Sequence, residues 1–108
     1  INQQEIIMPQ PVYPGIDKDH YAGMSRIGVM IRDAWLFGIL PETEKCENWN
    51  NSQLQVVSEQ VKREWDKYGC LVSNLPDDLR KRHAEINGPA IEKAKALGWD
   101  PTPEAHEE

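Results

Sequence analysis

The chain has 108 residues, of which 39% are hydrophobic and 28% charged, with a formal net charge of −6 at pH 7. This length fits one domain close to the size at which a single core suffices, and the proportions are those of a globular protein. The densest basic cluster, residues 79–82, directly follows two aspartates. Because binding to a phosphate backbone needs several convergent cations, we expect no nucleic-acid partner.

The most hydrophobic stretch also argues against a membrane segment. Arg26, Arg32 and Asp33 interrupt it, and the uncharged run that remains, residues 34–40, is far shorter than the roughly 20 residues that span a bilayer. The chain has two cysteines and no secretion signal, which favours the reducing cytoplasm. A first residue other than methionine leaves open a leader removed during processing.

Residues 1–15 are predicted to form an extended arm, because their three prolines fix φ and remove backbone donors. Ile6 and Ile7 make part of this arm apolar. We therefore expect the arm to lie along a surface, either that of this chain or that of a neighbour.

The first helix is predicted from about Asp19 to Leu40. Asp17 or Asp19 can cap its start, and Pro41 disfavours helix in the residue before it. Within this segment, Gly23 and Gly28 are interpreted as positions where another part of the chain approaches closely.

This predicted helix carries a broad apolar face and a second apolar ridge formed by Val29, Leu36 and Leu40. Narrow charged strips that include Arg26 and Arg32 separate the two. An arginine in such surroundings usually finds a carboxylate, which we expect from another helix or another chain. A helix of this kind lies at the centre of a bundle or in an interface.

The second helix has the clearest predicted boundaries. Asn50 can cap it, with Gln53 reaching back to close a capping box, and Gly69 can end it in the left-handed conformation. An apolar residue recurs every three or four positions along it, which predicts one stripe that faces a single partner: Leu54, Val57, Val61, Trp65 and Tyr68.

The third helix is predicted from about Pro76 to Gly98. The Gly88-Pro89 pair lies inside its apolar stripe and predicts a kink or a split into two helices. Trp99 follows the final glycine, where it either seals the helix end or remains available to a partner.

Together these elements predict an all-α fold, a small three-helix bundle, or a four-helix bundle if the third helix is split. We expect an extended N-terminal arm at residues 1–15, one helical domain at 16–99 and a flexible acidic tail at 100–108.

Few residues suggest chemistry. His83 lies in an apolar stripe, and a metal-dependent or acid–base site could combine it with Asp17, Asp19 or His20 after folding. The alternative is structural, with His83 at the edge of the core and the aspartates as helix caps. Cys46 has Glu44 and Glu47 nearby, which favours an inert thiol. No catalytic residue or cofactor is assigned.

Three segments resemble the helical N-terminal half of nitrile hydratase β subunits. They are residues 38–40, 65–69 and 75–80, within a similarity that covers about residues 24–86. The resemblance implies a subunit that binds no metal itself and shapes the pocket of a larger hydratase. The chain departs from that family in lacking a counterpart of its glycine-rich N-terminal arm.

The leading hypothesis from the residues themselves is a non-catalytic interaction module or accessory subunit. It would form a homodimer or dock on a larger protein, because the second ridge exceeds what so small a core can cover. The predicted interface residues are Val29, Leu36, Leu40, Ile6, Ile7 and Trp99.

Overall fold

The computed structural model describes residues 12–100. Its α-helices are α1 (Arg26–Leu36), α2 (Asn51–Asp66) and α3 (Asp77–Ala96), and short 3-10 helices span Ile16–Lys18, His20–Ala22 and Val72–Asn74. No strand occurs within residues 12–100. The predicted all-α, three-helix fold is therefore confirmed. Most of the predicted arm, including Ile6 and Ile7, and residues 101–108 of the predicted tail lie outside the described residues.

Helix α1 is much shorter than predicted, and its cap was predicted wrongly. Tyr21, Ala22 and Gly23 all have positive φ, which ends the preceding 3-10 helix and keeps it from joining α1. The cap of α1 is Ser25, whose hydroxyl accepts a hydrogen bond from the Gly28 amide. A periodic apolar pattern continues across such a break, because left-handed backbone leaves no mark on hydrophobic spacing.

The other end of α1 also stops short of Leu40. Gly38 has φ 72°, and the amides of Ile39 and Leu40 both bond to the Ala34 carbonyl. Leu40 thus lies in the loop after α1, where it is half-buried against both core clusters.

The predicted close approach at Gly23 and Gly28 is confirmed. A Cβ atom at Gly28 would lie 2.2 Å from the Gly23 carbonyl oxygen. A Cβ atom at Gly23 would lie 2.8 Å from a side-chain carbon of Ile16. These two glycines therefore allow the N-terminal 3-10 helices to fold back onto the first turn of α1.

Helix α2 begins as predicted. The Asn50 side chain accepts from the Gln53 amide, and the Gln53 side chain accepts from the Asn50 amide, each at 2.9 Å. Leu54, Val57 and Val61 are buried. The local capping signal and the apolar stripe together define this helix.

Helix α3 is a single continuous helix, so the predicted split at Gly88-Pro89 and the four-helix alternative are wrong. Pro89 removes one backbone donor. The helix stays continuous because it packs on α1 and on the 3-10 helix His20–Ala22, which support it along its length.

Helix α1 lies between its two neighbours. The first turns of α1 and α2 line a common groove. Trp65, near the end of α2, donates a hydrogen bond to Asp33, near the end of α1, so these two helices run in the same direction. Helix α3 runs in the opposite direction, since its Asn87 bonds to Arg32 while His83, earlier in α3, lies near Trp65.

The core has two clusters on either side of Met30 and Leu40. One consists of Tyr13, Ile16, Ile31, Cys46 and Leu54, and the other of Ala34, Val57 and Val61. Tyr13 belongs to the core although it lies in the predicted arm. Its backbone amide donates to the Trp49 carbonyl and its carbonyl accepts from the Asn48 amide, so this part of the arm is fixed to the α1–α2 connection.

Candidate functional site

The predicted interface ridge is not continuous on the surface. Leu36 is only 3% exposed, so it packs inside the chain and its assignment to an exposed ridge is wrong. Val29 is 38% exposed, while Leu40 and Trp99 are half-buried. The ridge is also interrupted in the backbone, because α1 ends at Leu36 and the chain turns at Gly38 before Leu40. An interface role for Val29 and Trp99 stays a prediction.

An open groove separates the first turns of α1 and α2 and has a volume of about 550 Å³. Its apolar floor consists of Ile27 and Met30, which are half-buried, and Leu54, which is buried; polar side chains line the rest: Asn51, Gln55 and Ser58. Arg26 lines the α1 edge and Glu59 the α2 edge, and no ion pair joins them. This groove is a candidate contact surface with opposite charges at its two sides.

The residues predicted for a metal or acid–base site are His83, Asp17, Asp19 and His20. Within residues 12–100, no group of three or more His, Cys, Asp or Glu side chains is placed to hold a metal ion. Asp17 and His20 are exposed, and Asp19 accepts hydrogen bonds from the Tyr13 hydroxyl, the Ser25 hydroxyl and the His20 amide. Asp19 therefore caps the 3-10 helix His20–Ala22 through the His20 amide, and it does not cap α1.

His83 is half-buried, with its ring centroid 6.3 Å from that of Trp65 in an edge-on arrangement. This position agrees with the predicted place at the edge of the core. Cys46 is fully buried, and burial together with the neighbouring Glu44 raises the pKa of its thiol to about 11. Its thiol is therefore protonated near neutral pH, as its acidic neighbours predict.

The most unusual side chain in the described chain is Arg32, which is only 2% exposed. Its Nε donates to the Asn87 side-chain oxygen at 3.0 Å and its Nη2 to the Met24 sulfur at 3.4 Å. Neither acceptor is charged, and no described carboxylate lies within ion-pair distance. Burial lowers the pKa of Arg32, and Asp33, Tyr13 and Asp19 oppose that shift. The guanidinium is thus a buried cation without a counter-charge in contact with it.

Arg32 lines a cleft of about 350 Å³ between α1, α3 and the N-terminal 3-10 helices. Two further cations line it: Lys45, whose Nζ lies 5.0 Å from the centre of the Trp35 ring, and Lys93 of α3. Asp17 is the one acidic residue of the lining. The remaining lining residues are apolar or aromatic: Ile16, Ala22, Trp35, Ile86, Pro89 and Ala90.

Asp33, the next residue along α1, has a different environment. Its carboxylate accepts a hydrogen bond of 3.0 Å from the Trp65 indole nitrogen on α2. Burial raises the pKa of Asp33, while the Trp65 hydrogen bond and the electrostatic interactions with His83 and Arg32 act in the opposite direction. Phe37 packs edge-on against the Trp65 ring, with centroids 5.2 Å apart.

The chain matches no protein-family model, no curated protein and no solved structure. No helix within residues 12–100 combines the length and the apolar character needed to cross a bilayer. The predicted relationship to nitrile hydratase β subunits stays a prediction.

Sequence reasoning singled out Arg32 but not the cleft around it. The cleft combines residues from segments 16–22, 32–45 and 86–93, and no spacing rule connects these segments. The available signal was an arginine within an apolar helix, which predicts a carboxylate partner from elsewhere. The groove between α1 and α2 was missed as well, because it depends on these two helices running in the same direction.

Proposed function

We propose that this chain is a non-catalytic interaction module that forms a homodimer through the groove between α1 and α2. The observation that carries the proposal is the half-buried apolar pair Ile27 and Met30, whose exposed part lies in a groove between two oppositely charged edges. Complete burial of an exposed aliphatic side chain contributes about 1.5 to 3 kcal/mol. Ile27 and Met30 are already half-buried, so each would contribute a part of that value on association.

A second copy of the chain is the occupant that the charges favour. In a two-fold symmetric dimer the same patch meets itself, and when the two-fold axis runs along the groove each edge faces the other edge of the partner. Arg26 on the α1 edge and Glu59 on the α2 edge would then form two identical ion pairs across the interface. A patch with one sign of charge at both edges would repel its own copy.

The proposal differs from the sequence-based one in its residues. Leu36 is inside the fold and leaves the interface, and Ile27 and Met30 replace it. Val29 lies on the exposed side of α1 one residue before Met30 and can extend the contact.

The test is sedimentation velocity of the full chain at protein concentrations from about 1 to 200 μM. Dimers with micromolar affinity dissociate in this concentration range. We expect a concentration-dependent dimer for the natural sequence and a monomer for Met30→Glu, because a charge on the groove floor would be desolvated on association. Val56→Glu is the matched control. Val56 is 59% exposed and lies on a different face of α2 from the residues that line the groove, so this variant should dimerise normally.

Charge exchange makes the test specific for the symmetric arrangement. Arg26→Glu and Glu59→Arg should each weaken association about tenfold, and the double exchange should restore it. Arg26→Glu places a negative charge in the first turn of α1, where the helix dipole favours it, so weaker association would not reflect unfolding. A monomer at every concentration, or a dimer that Met30→Glu leaves unchanged, would contradict the homodimer and leave a different protein as the partner of this module.

A further inference from the structure

The starting point for a second binding site is the electrostatic state of Arg32. A guanidinium that is only 2% exposed has lost nearly all contact with solvent. Buried charges in proteins are normally paired, because an unpaired charge in a medium of low dielectric constant is unfavourable. The described chain provides Arg32 with an amide oxygen and a thioether, and with no carboxylate in contact.

The guanidinium also has unused donors. Arginine carries five N–H groups in a fixed plane. One is taken by Asn87 and one by Met24, which leaves three, among them both on Nη1. A Cβ atom at Gly23 would lie 3.0 Å from Nη1, so Gly23 packs closely beside this end of the guanidinium and a larger residue there would crowd it. Two adjacent N–H groups match the two oxygens of a carboxylate.

The cleft around Arg32 has a mixed lining that fits an amphipathic ligand. Apolar surface from Ile16, Trp35 and Ile86 can cover a hydrocarbon or aromatic body. Lys45 and Lys93 add positive charge, so the lining carries three cations and one carboxylate, that of Asp17. The positive excess favours an anion, whereas Asp17 opposes a second negative charge on the ligand.

We infer that the cleft between α1, α3 and the N-terminal 3-10 helices binds a small organic monocarboxylate. Its carboxylate accepts hydrogen bonds from the terminal nitrogens of Arg32, and its apolar body lies against Trp35 and Ile86. This site is on the opposite side of α1 from the groove proposed for dimerisation, so the two proposals are independent of each other.

The first experiment measures ligand binding by the full chain with benzoate and hexanoate as probes. Calorimetric titration should give a dissociation constant on the order of 1 mM or tighter, and 10 mM benzoate should raise the melting temperature by about 5 °C. Benzamide and hexanamide have the same bodies without the charge, and they should bind at least tenfold more weakly. Acetate has the charge without the body and should also bind at least tenfold more weakly.

Variants then assign the binding to Arg32. Arg32→Met keeps a similar volume without charge, and it should fold with an unchanged or higher melting temperature while losing the benzoate-induced shift. Arg32→Lys keeps the charge but loses the planar pair of donors, so it should bind at least tenfold more weakly. Lys93→Gln, at the exposed edge, should weaken binding about threefold, and Lys62→Gln on α2 is the matched control that should leave it unchanged.

Three results would overturn the inference. They are the absence of saturable binding of both probes at 10 mM, a benzoate affinity that Arg32→Met and Lys93→Gln leave unchanged, and an affinity for inorganic phosphate that equals that for benzoate. The last result would show an anion site that does not select monocarboxylates. Sedimentation of Arg32→Met distinguishes this site from the groove, because its dimerisation should match that of the natural sequence.

Discussion

The two sides of helix α1 differ in how they surround a charged side chain. Asp33 lies towards α2, where the Trp65 indole donates a hydrogen bond to it and the Phe37 ring packs against that indole. Arg32 lies towards α3, where it contacts only neutral acceptors at the end of an open cleft. Successive residues on a helix point about 100° apart, so the two opposite charges do not pair with each other.

The difference indicates which side of α1 serves stability and which leaves room for a ligand. On the α2 side, the half-buried carboxylate of Asp33 accepts a hydrogen bond from the chain itself. On the α3 side, the buried base is satisfied incompletely, and a cleft remains beside it. Incomplete satisfaction of a buried polar group is costly for the fold alone, and it is a common property of functional sites.

The largest expected effect concerns the core that both sides share. Ile31 is completely buried, and Ile31→Ala should lower the free energy of unfolding by about 3 kcal/mol, because it removes apolar contacts and leaves a cavity. Chemical denaturation measures this change. Val56→Ala, at an exposed position of α2, is the control and should change stability by less than about 0.5 kcal/mol. Equal effects at both positions would show that α1 is not the centre of the fold.

The next effect tests the α2 side alone. Trp65→Phe removes the donor to Asp33 and leaves a half-buried carboxylate without this hydrogen bond, which should cost about 2 kcal/mol of unfolding free energy. Trp35→Phe is the matched control, because its indole donates to the neutral carbonyl of Glu44, and it should cost about 1 kcal/mol. A smaller loss for Trp65→Phe than for Trp35→Phe would break the comparison between the two sides.

The smallest effect is a change in pH dependence. Because the folded state raises the pKa of Asp33 above its ordinary value of 3.8, this state holds the proton more tightly than the unfolded chain does. The protonated Asp33 therefore contributes stability that is fully present below pH 3.8. This contribution is lost as the pH rises through the raised pKa, because ionisation of Asp33 weakens the fold.

Asp33→Asn keeps an oxygen that can accept from Trp65 and removes the ionisation. The variant should gain stability relative to the natural sequence between about pH 3 and pH 7, as measured by denaturation at each pH. Asp33→Asn is also compared with Asp33 in a His83→Gln background, which removes the electrostatic interaction between His83 of α3 and Asp33. If Asp33→Asn instead loses stability relative to the natural sequence as the pH rises, the fold favours the charged form of Asp33.

The sequence predicted what depends on local chemistry. The capping box of Asn50 and Gln53 and the helix stop at Gly69 were visible because the residues that define them are only a few positions apart. The start of α1 was not visible. Its position depends on left-handed backbone at Tyr21 and Ala22, which bulky or methyl-bearing residues adopt only when the surrounding structure holds them there.

The candidate sites were predictable only as isolated residues. Arg32 could be recognised as a buried cation in need of a carboxylate, but its cleft depends on α3 continuing past Pro89. A proline inside a helix predicts a break more strongly than a continuation. Tertiary packing on α1 and on the N-terminal 3-10 helices overrides that preference here.

The shared direction of α1 and α2 has a consequence for how the chain folds. Two helices in succession that run in the same direction cannot form a helical hairpin, so the connection 37–50 must return along the length of the pair. Tyr13 pairs through its backbone with Asn48 and Trp49 in this connection, which closes a long loop around α1. Non-local contacts of this kind slow folding relative to bundles built from hairpins. We therefore expect the closure of segment 13–49 to limit the folding rate.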